Sequence, residues 1–243
     1  MIKWIKNKIA EKMYQGLNTN FLHIDEYGSW RRRIQVEASS RCNLSCPGCS
    51  RTQEIGMYTP SDLSMDNFKL LVRDENNLHA LTYSMSLGDP IYAGTLFEQL
   101  EHIKTLKTRP VLFFSTNGSG RPTKWWEKFA TYLNPINPMN SAFPGDVVEF
   151  AVDGLEDTNP IYRVNAKWNS IQNGMKTLRE NYTGKLVWRY IVFEQNYHQV
   201  VEAQQIAKDL GMNQFHAILG DNRTPEHMLL KSKPWEDVLN DLS

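Results

Sequence analysis

Cysteine is nearly absent from this 243-residue sequence: the only three lie within residues 42–49, as Cys42-Asn43-Leu44-Ser45-Cys46-Pro47-Gly48-Cys49. So small and clustered a set cannot form a disulfide framework, because one thiol is always left over and the spacing is that of a metal site. A reducing cytoplasm is the setting that composition implies. No apolar run of about 18 residues occurs, which excludes an ordinary membrane-spanning helix. The start, Met1-Ile2-Lys3-Trp4-Ile5-Lys6, is interrupted by lysine too often for a secretory signal. Net charge is also missing: 27 Lys+Arg balance 27 Asp+Glu, so nothing pulls the whole chain toward nucleic acid, although a local basic patch stays compatible with that balance. Low-complexity tracts are absent too. What is present is a 41% hydrophobic composition, enough for the core of one large domain with short extensions.

The C-x3-C-x2-C spacing carries the chemistry. Three thiolates hold three corners of a cubane iron–sulfur cluster, whereas an electron carrier takes a fourth cysteine. Lacking a fourth, one iron would keep an open coordination position for a substrate or cofactor. Zinc is the rival, and it would need a fourth ligand from His23, His79, His102, His198, His216 or His227, none of them close to the loop in sequence. Three small residues buried for packing alone are the remaining alternative.

Periodicity supplies the frame. Ile2, Ile5, Ile9 and Met13 predict an amphipathic helix over residues 1–15, packed on the domain edge or touching a membrane surface or partner. Arg31-Arg32-Arg33 reads as a solvated turn. Beyond it, strands are predicted at Arg33–Ala38, Ala80–Ser86, Val111–Ser115, Val147–Val152, Leu186–Phe193 and Gln214–Leu219. Between them come helices at Met65–Asp74, Leu96–Leu106, Lys124–Leu133, Trp168–Glu180 and Gln199–Leu210. Ser64 and Thr123 are candidate N-caps, and Gly211 is a candidate C-terminal cap. Residues 134–145, with three prolines, read as a longer loop, and Trp125-Trp126 as core or interface. Repeated strand–helix alternation implies parallel strands with right-handed crossovers. Six units fall short of the eight of a closed barrel, so the expectation is an α/β fold with a partial (β/α)6 TIM-like barrel. It would occupy residues 31–222, after an N-terminal helical extension (1–30) and before a short C-terminal tail (223–243). Ligands of such a barrel sit at the C-terminal strand ends, where the cysteine loop also falls.

The run Val36-Glu37-Ala38-Ser39-Ser40-Arg41-Cys42-Asn43-Leu44-Ser45-Cys46-Pro47-Gly48-Cys49-Ser50-Arg51 resembles the cluster loop of the radical S-adenosylmethionine enzymes. The similarity continues in order through Ser86-Leu87-Gly88-Asp89-Pro90, Ser115-Thr116-Asn117-Gly118, Val152-Asp153-Gly154 and Ile191-Val192-Phe193-Glu194-Gln195-Asn196, covering about residues 33–220. The resemblance implies a partial (β/α)6 barrel in which Cys42, Cys46 and Cys49 hold a [4Fe–4S] cluster. In that family S-adenosylmethionine chelates the fourth iron. One-electron cleavage of its sulfonium then gives a 5′-deoxyadenosyl radical that abstracts hydrogen from a substrate. Gly88 and Asp89 would hold the methionine end, while Ser115, Asn117 and Asp153 would face the ribose or the substrate; Arg189 and Asn196, on the fifth strand and its exit, are further candidates. A flavodoxin, a ferredoxin or another low-potential donor would supply the electron. Peptide, nucleotide and small-metabolite substrates all stay open. The sequence departs from the family at Leu87 and Asp89, where Gly and Glu are usual, at Gly48, where an aromatic residue is frequent, and at Ala151, where serine is frequent. These departures keep a catalytically silent cluster- or nucleotide-binding scaffold as an alternative, beside the structural zinc protein. Without further cysteines, the resemblance implies a single cluster.

Overall fold

The computed structural model describes residues 22–24, 30–53, 59–76, 78–135, 145–221 and 224–241. The helix predicted over 1–15 and most of the 134–145 loop lie outside the described residues.

Seven strands form one sheet in sequence order: β1 (Leu22–Ile24), β2 (Trp30–Val36), β3 (Leu78–Tyr83), β4 (Val111–Thr116), β5 (Val147–Ala151), β6 (Lys185–Val192) and β7 (Gln214–Leu219). The last six run parallel to their neighbours, whereas β1 pairs antiparallel with β2. Among the described residues β7 pairs with β6 alone, so the parallel set is open, as a partial barrel requires. The main crossover helices are α2 (Met65–Leu71), α3 (Leu96–Lys104), α4 (Thr123–Ala130), α6 (Trp168–Asn181) and α7 (Val200–Asp209). Among the described residues there are also three short helices, α1 (Ser50–Gln53), α5 (Asn159–Tyr162) and α8 (Trp235–Asn240).

One face of the sheet is a packed core. Ile34, Val36, Leu81, Tyr83, Leu112, Phe114, Val148, Phe150, Leu186, Trp188 and Tyr190 are all buried. Tyr83 stacks on Phe114 at 4.4 Å, and Phe129 of α4 meets Phe114 edge-on at 4.9 Å. Trp126 lies in this core, as its helical position predicted, while Trp125 is half-buried at its margin. The opposite face is unlike that of an ordinary parallel sheet, which is apolar on both sides. Gln35, Thr82, Ser115, Glu149 and Arg189 alternate with the core residues and remain partly accessible, because the open barrel encloses a cavity there.

Local chemistry explains most boundaries. Ser64 caps α2, its hydroxyl accepting from Asn67 N at 3.3 Å. Thr123 does not cap α4: Pro122 occupies the cap, and the Thr123 hydroxyl pairs with Asn173 of α6 instead. Gly211, at φ +73, ends α7; Gly211 N donates to Lys208 O and Met212 N to Ala207 O, the paired bonds of a Schellman cap. The arginines at 31–33 are not a turn; they lie within β2, which starts earlier than predicted because the β1 hairpin gives it a partner. The tail contributes to the core, with Val238 of α8 buried and Glu194 N donating to Met228 O.

Candidate active site at the strand ends

The cysteine loop is held by its own backbone and by three neighbouring strand ends. After β2, Leu63 N donates to Ala38 O, and the Ser39 hydroxyl donates to Asp62 Oδ1 at 2.6 Å. Arg41 pairs with Asp62 at 2.5 Å, and Arg41 O accepts from Asp89 N at 2.9 Å. That last bond ties the loop to the segment after β3. The approach is close enough that a Cβ on Gly88 would lie 2.0 Å from Ser39 O, which explains the glycine. Cys49 N donates to Cys46 O, and α1 starts immediately after Cys49. Leu44 and Cys46 pack with Tyr162 of α5 and Phe193, and Cys42 and Cys49 lie against the same cluster.

All three thiols are free and line one cavity of about 470 Å³. Its wall also includes Gly88, Asp89, Ser115 and Asn117, so four of the five sequence-predicted binding residues meet the cysteines. Asn117 reaches furthest: its Nδ2 lies 3.4 Å from Cys42 Sγ and donates to Asn43 Oδ1 at 3.2 Å. Ser115 donates to Glu149 Oε1 at 3.1 Å, and Glu149 pairs with Arg189 at 3.4 Å across the concave face.

Asp153 is placed differently from the expectation. It is fully buried behind the wall, where one carboxylate oxygen pairs with Arg163 Nε at 2.5 Å and the other accepts from Ile191 N at 2.7 Å. Arg163, which the sequence reading missed, lines the cavity in its place, with Nη1 3.9 Å from Cys46 Sγ. Burial opposes the Arg163 charge, but the Asp153 carboxylate and the Cys46 sulfur outweigh it and raise its pKa. Asn196 is also internal: its Nδ2 donates to Asp153 O and Ile191 O, each at 2.9 Å, and holds the ends of β5 and β6 together. Glu37, another omission, accepts from Ser86 N at 3.1 Å and Leu87 N at 3.2 Å and bonds the Ser84 hydroxyl, fixing the segment that leads to Gly88.

Asp89 is sealed in. Oδ1 accepts from Ile91 N at 3.1 Å; Oδ2 accepts from Thr116 Oγ1 at 3.0 Å and Asn117 N at 2.7 Å. Burial raises its pKa to about 6, against the lowering by these donors. A carboxyl whose folded pKa exceeds its unfolded value adds stability below the unfolded value and loses it as pH rises through the folded one. The stability of Asp89→Asn relative to the parent is therefore expected to rise between about pH 4 and pH 6. Denaturant titrations of the two apo proteins across that range check this, and a difference independent of pH would contradict it.

Three free thiols on one cavity are the donor set that a cluster would take. Among the described residues, no group of three or more His, Cys, Asp or Glu side chains converges to hold one metal ion, and no histidine lines the cavity. Burial pushes the Cys42 thiol up to about 11, with Asp89 adding to the effect, and burial also raises Cys46 against the pull of Arg163. Any metal held here would have to displace the protons that burial keeps on these sulfurs. The cavity volume falls within the range for small-molecule and cofactor sites.

No family model and no curated protein matches the chain. Solved structures do. The chain aligns with native anSMEcpe with bound AdoMet and Cp18Cys peptide at a TM-score of 0.59 and 13% identity, over 86% of this chain and 56% of that one. Streptococcus suis SuiB bound to S-adenosylmethionine gives 0.64 and 13%, over 98% and 57%. TYW1 with a lysine-pyruvate adduct bound gives 0.59 and 16%, over 96% and 78%. At these identities the likeness is one of fold, and the chain spans little more than half the length of anSMEcpe or SuiB.

Proposed function

We propose that this chain is a single-cluster radical S-adenosylmethionine enzyme. The observation that carries the reading is the meeting of three free thiols, Gly88 and Asn117 around one cavity at the strand ends of an open barrel. The fold shared with proteins solved with AdoMet supports it. Held by Cys42, Cys46 and Cys49, a [4Fe–4S] cluster with S-adenosylmethionine would supply one-electron reductive cleavage of the sulfonium and, through it, hydrogen abstraction from a substrate.

The chain's own residues hold, position and shield. Cys42, Cys46 and Cys49 hold the cluster. Asn117 and Arg163 direct N–H groups at the sulfurs of Cys42 and Cys46, and such donors tune a cluster's potential. Gly88 lets the segment after β3 lie directly on the loop, and Asp89 locks that segment to the end of β4. Leu44, Tyr162 and Phe193 form an apolar wall that limits water near the sulfurs. Asp153 acts through Arg163, not by touching the ribose. Ser115 and Arg189 face the substrate side, which suits a polar substrate; a peptide is the first class to test, since the anSMEcpe and SuiB structures include peptide complexes. A low-potential flavodoxin or ferredoxin in a reducing cytoplasm supplies the electron.

Anoxic reconstitution is expected to give about four irons per chain. Addition of S-adenosylmethionine and a strong reductant is then expected to release 5′-deoxyadenosine, and Cys46→Ala should lose both iron and product. A full cluster with no cleavage by any strong reductant would sink the enzymatic reading and leave the silent scaffold. One zinc without sulfide would establish the structural zinc protein.

A further inference from the structure

Arg109, Arg163 and Arg189 each meet a carboxylate in the fold, and the third pair is unlike the other two. Arg109 grips Asp146 with both Nη groups, Nη1 donating to Oδ1 at 2.9 Å, and Nη2 also donates to Tyr132 O at 3.0 Å. Arg163 Nε donates to Asp153 Oδ2 at 2.5 Å. Arg189 Nε stands 3.4 Å from Glu149 Oε1, buried and without a hydrogen bond. Among the described residues, neither Nη group of Arg189 donates to an acceptor. Guanidinium donors left unmet in a protein wall are costly, so their acceptor is to be sought in the space beside them. The Arg189 side chain is 29% exposed and lines the cavity that holds the cysteines.

Strand β6 fixes where this side chain goes. Trp188 and Tyr190, on either side of it, are fully buried; Trp188 Nε1 donates to Val152 O and the Tyr190 hydroxyl to Asn196 O, both at 2.8 Å. Alternation therefore turns Arg189 to the concave face. Ile191, the next residue on that face, packs against the cluster of Leu44, Cys46 and Tyr162. Arg189 thus lies one pleat deeper in the barrel, roughly 6.6 Å along the strand. Glu149 Oε1 also accepts from Ser115 Oγ at 3.1 Å, which fixes that carboxylate on the Nε side of the guanidinium. The end-on fork of Nη1 and Nη2 is left open. Other charges on the wall are occupied: Arg163 by Asp153, Arg51 by Leu44 O, and Asp89 by three donors. Asp221 follows the end of β7, beyond His216, the register neighbour of Arg189.

We propose that Arg189 anchors a carboxylate of the substrate through its two Nη groups, with Glu149 and Ser115 as positioning residues behind it. The inference rests on the enzymatic reading above and narrows the polar substrate named there to one that carries a carboxylate. Guanidinium and carboxylate are matching planar forks and join by two parallel N–H···O bonds. One cation already paired in part with Glu149 suits a single negative charge better than the two of a phosphate. Held one pleat below Ile191, the carboxylate leaves the rest of the substrate to extend toward the cysteine end of the cavity. A free amino acid and a peptide both offer this group.

The probes are the free amino acids and a set of N-acetylated pentapeptides, each made as the carboxylate and as the carboxamide. Equilibrium dialysis against the reconstituted full chain with S-adenosylmethionine measures their retention by mass spectrometry. The best-retained carboxylates are expected to bind about tenfold or more tighter than their amides, and Arg189→Gln should abolish that difference. Arg189→Lys should keep part of it, because the charge stays and the fork is lost. Retention of the free amino acids alone would identify a small-acid substrate, and of the pentapeptides alone a peptide; either supports the anchor. The affinity of Arg189→Gln for S-adenosylmethionine should stay within about twofold of the parent's, which also shows that the variant is folded. No preference for carboxylates in the parent, or one that survives Arg189→Gln, would overturn the proposal. So would a large loss of S-adenosylmethionine affinity, which would assign Arg189 to the cofactor's own carboxylate. A parent that holds its cluster but cleaves nothing with dithionite would sink the enzymatic reading instead, and the dialysis would still decide the anchor.

Discussion

Arg163→Met is expected to destabilise the apo chain by about 3–5 kcal/mol. The substitution removes the cation from a pair in which Asp153 is fully buried and Arg163 nearly so. An uncompensated carboxylate would then sit between the ends of β5 and β6. Adding Asp153→Asn should recover much of the loss, because the amide can still accept from Ile191 N without a buried charge. Urea midpoints of the parent, the single and the double variant measure this. A single-variant loss below about 1 kcal/mol would mean that the pair is better solvated than its burial indicates. The same substitution removes the donor near Cys46 Sγ, so reconstituted protein should show a shifted cluster potential even where folding is rescued.

Gly88→Ala is expected to have the second-largest effect. A methyl group there would lie 2.0 Å from Ser39 O and 2.7 Å from Ser39 C and Ser40 C, all backbone atoms with no rotamer escape. The loop that begins at Ser39 must move, and it carries Cys42. Overpacking of this kind costs about 1–3 kcal/mol. The greater consequence should be functional: displacement of the Arg41–Asp89 backbone bond shifts Cys42 relative to Cys46 and Cys49. Iron content after reconstitution and affinity for S-adenosylmethionine should both fall, whereas Gly94→Ala, whose nearest neighbour is a side-chain oxygen at 3.2 Å, should leave both nearly unchanged. Equal behaviour of the two variants would contradict the account of the strand-end contact.

The strands were legible because β-branched and aromatic runs are short and bounded, and β7 begins and ends where the pattern places it. Helix ends were read too long at Met65–Leu71 and Leu96–Lys104, where the chain turns one or more residues before the apolar pattern stops. The hairpin strand Leu22–Ile24 is too short to carry a period, and its pairing with β2 moved the start of that strand into the arginine run. Cysteine spacing located the site because ligand chemistry is local in sequence. Arg163 was invisible for the opposite reason: its partners, Asp153 and Cys46, lie in other segments, and α5 has too few residues for a face. Glu37 stands inside the recognised run, yet a carboxylate at a strand end gives no hint that it will anchor backbone amides after the neighbouring strand. Asp153 lies behind Arg163 and not on the cavity wall, and that burial is a tertiary fact that no local pattern contains.

A Mössbauer spectrum of protein reconstituted anoxically with ⁵⁷Fe, recorded before and after addition of S-adenosylmethionine, tests the central claim most directly. The account predicts a four-iron cluster in which one iron changes its parameters on addition and three do not. Four irons that all ignore the nucleotide would contradict it.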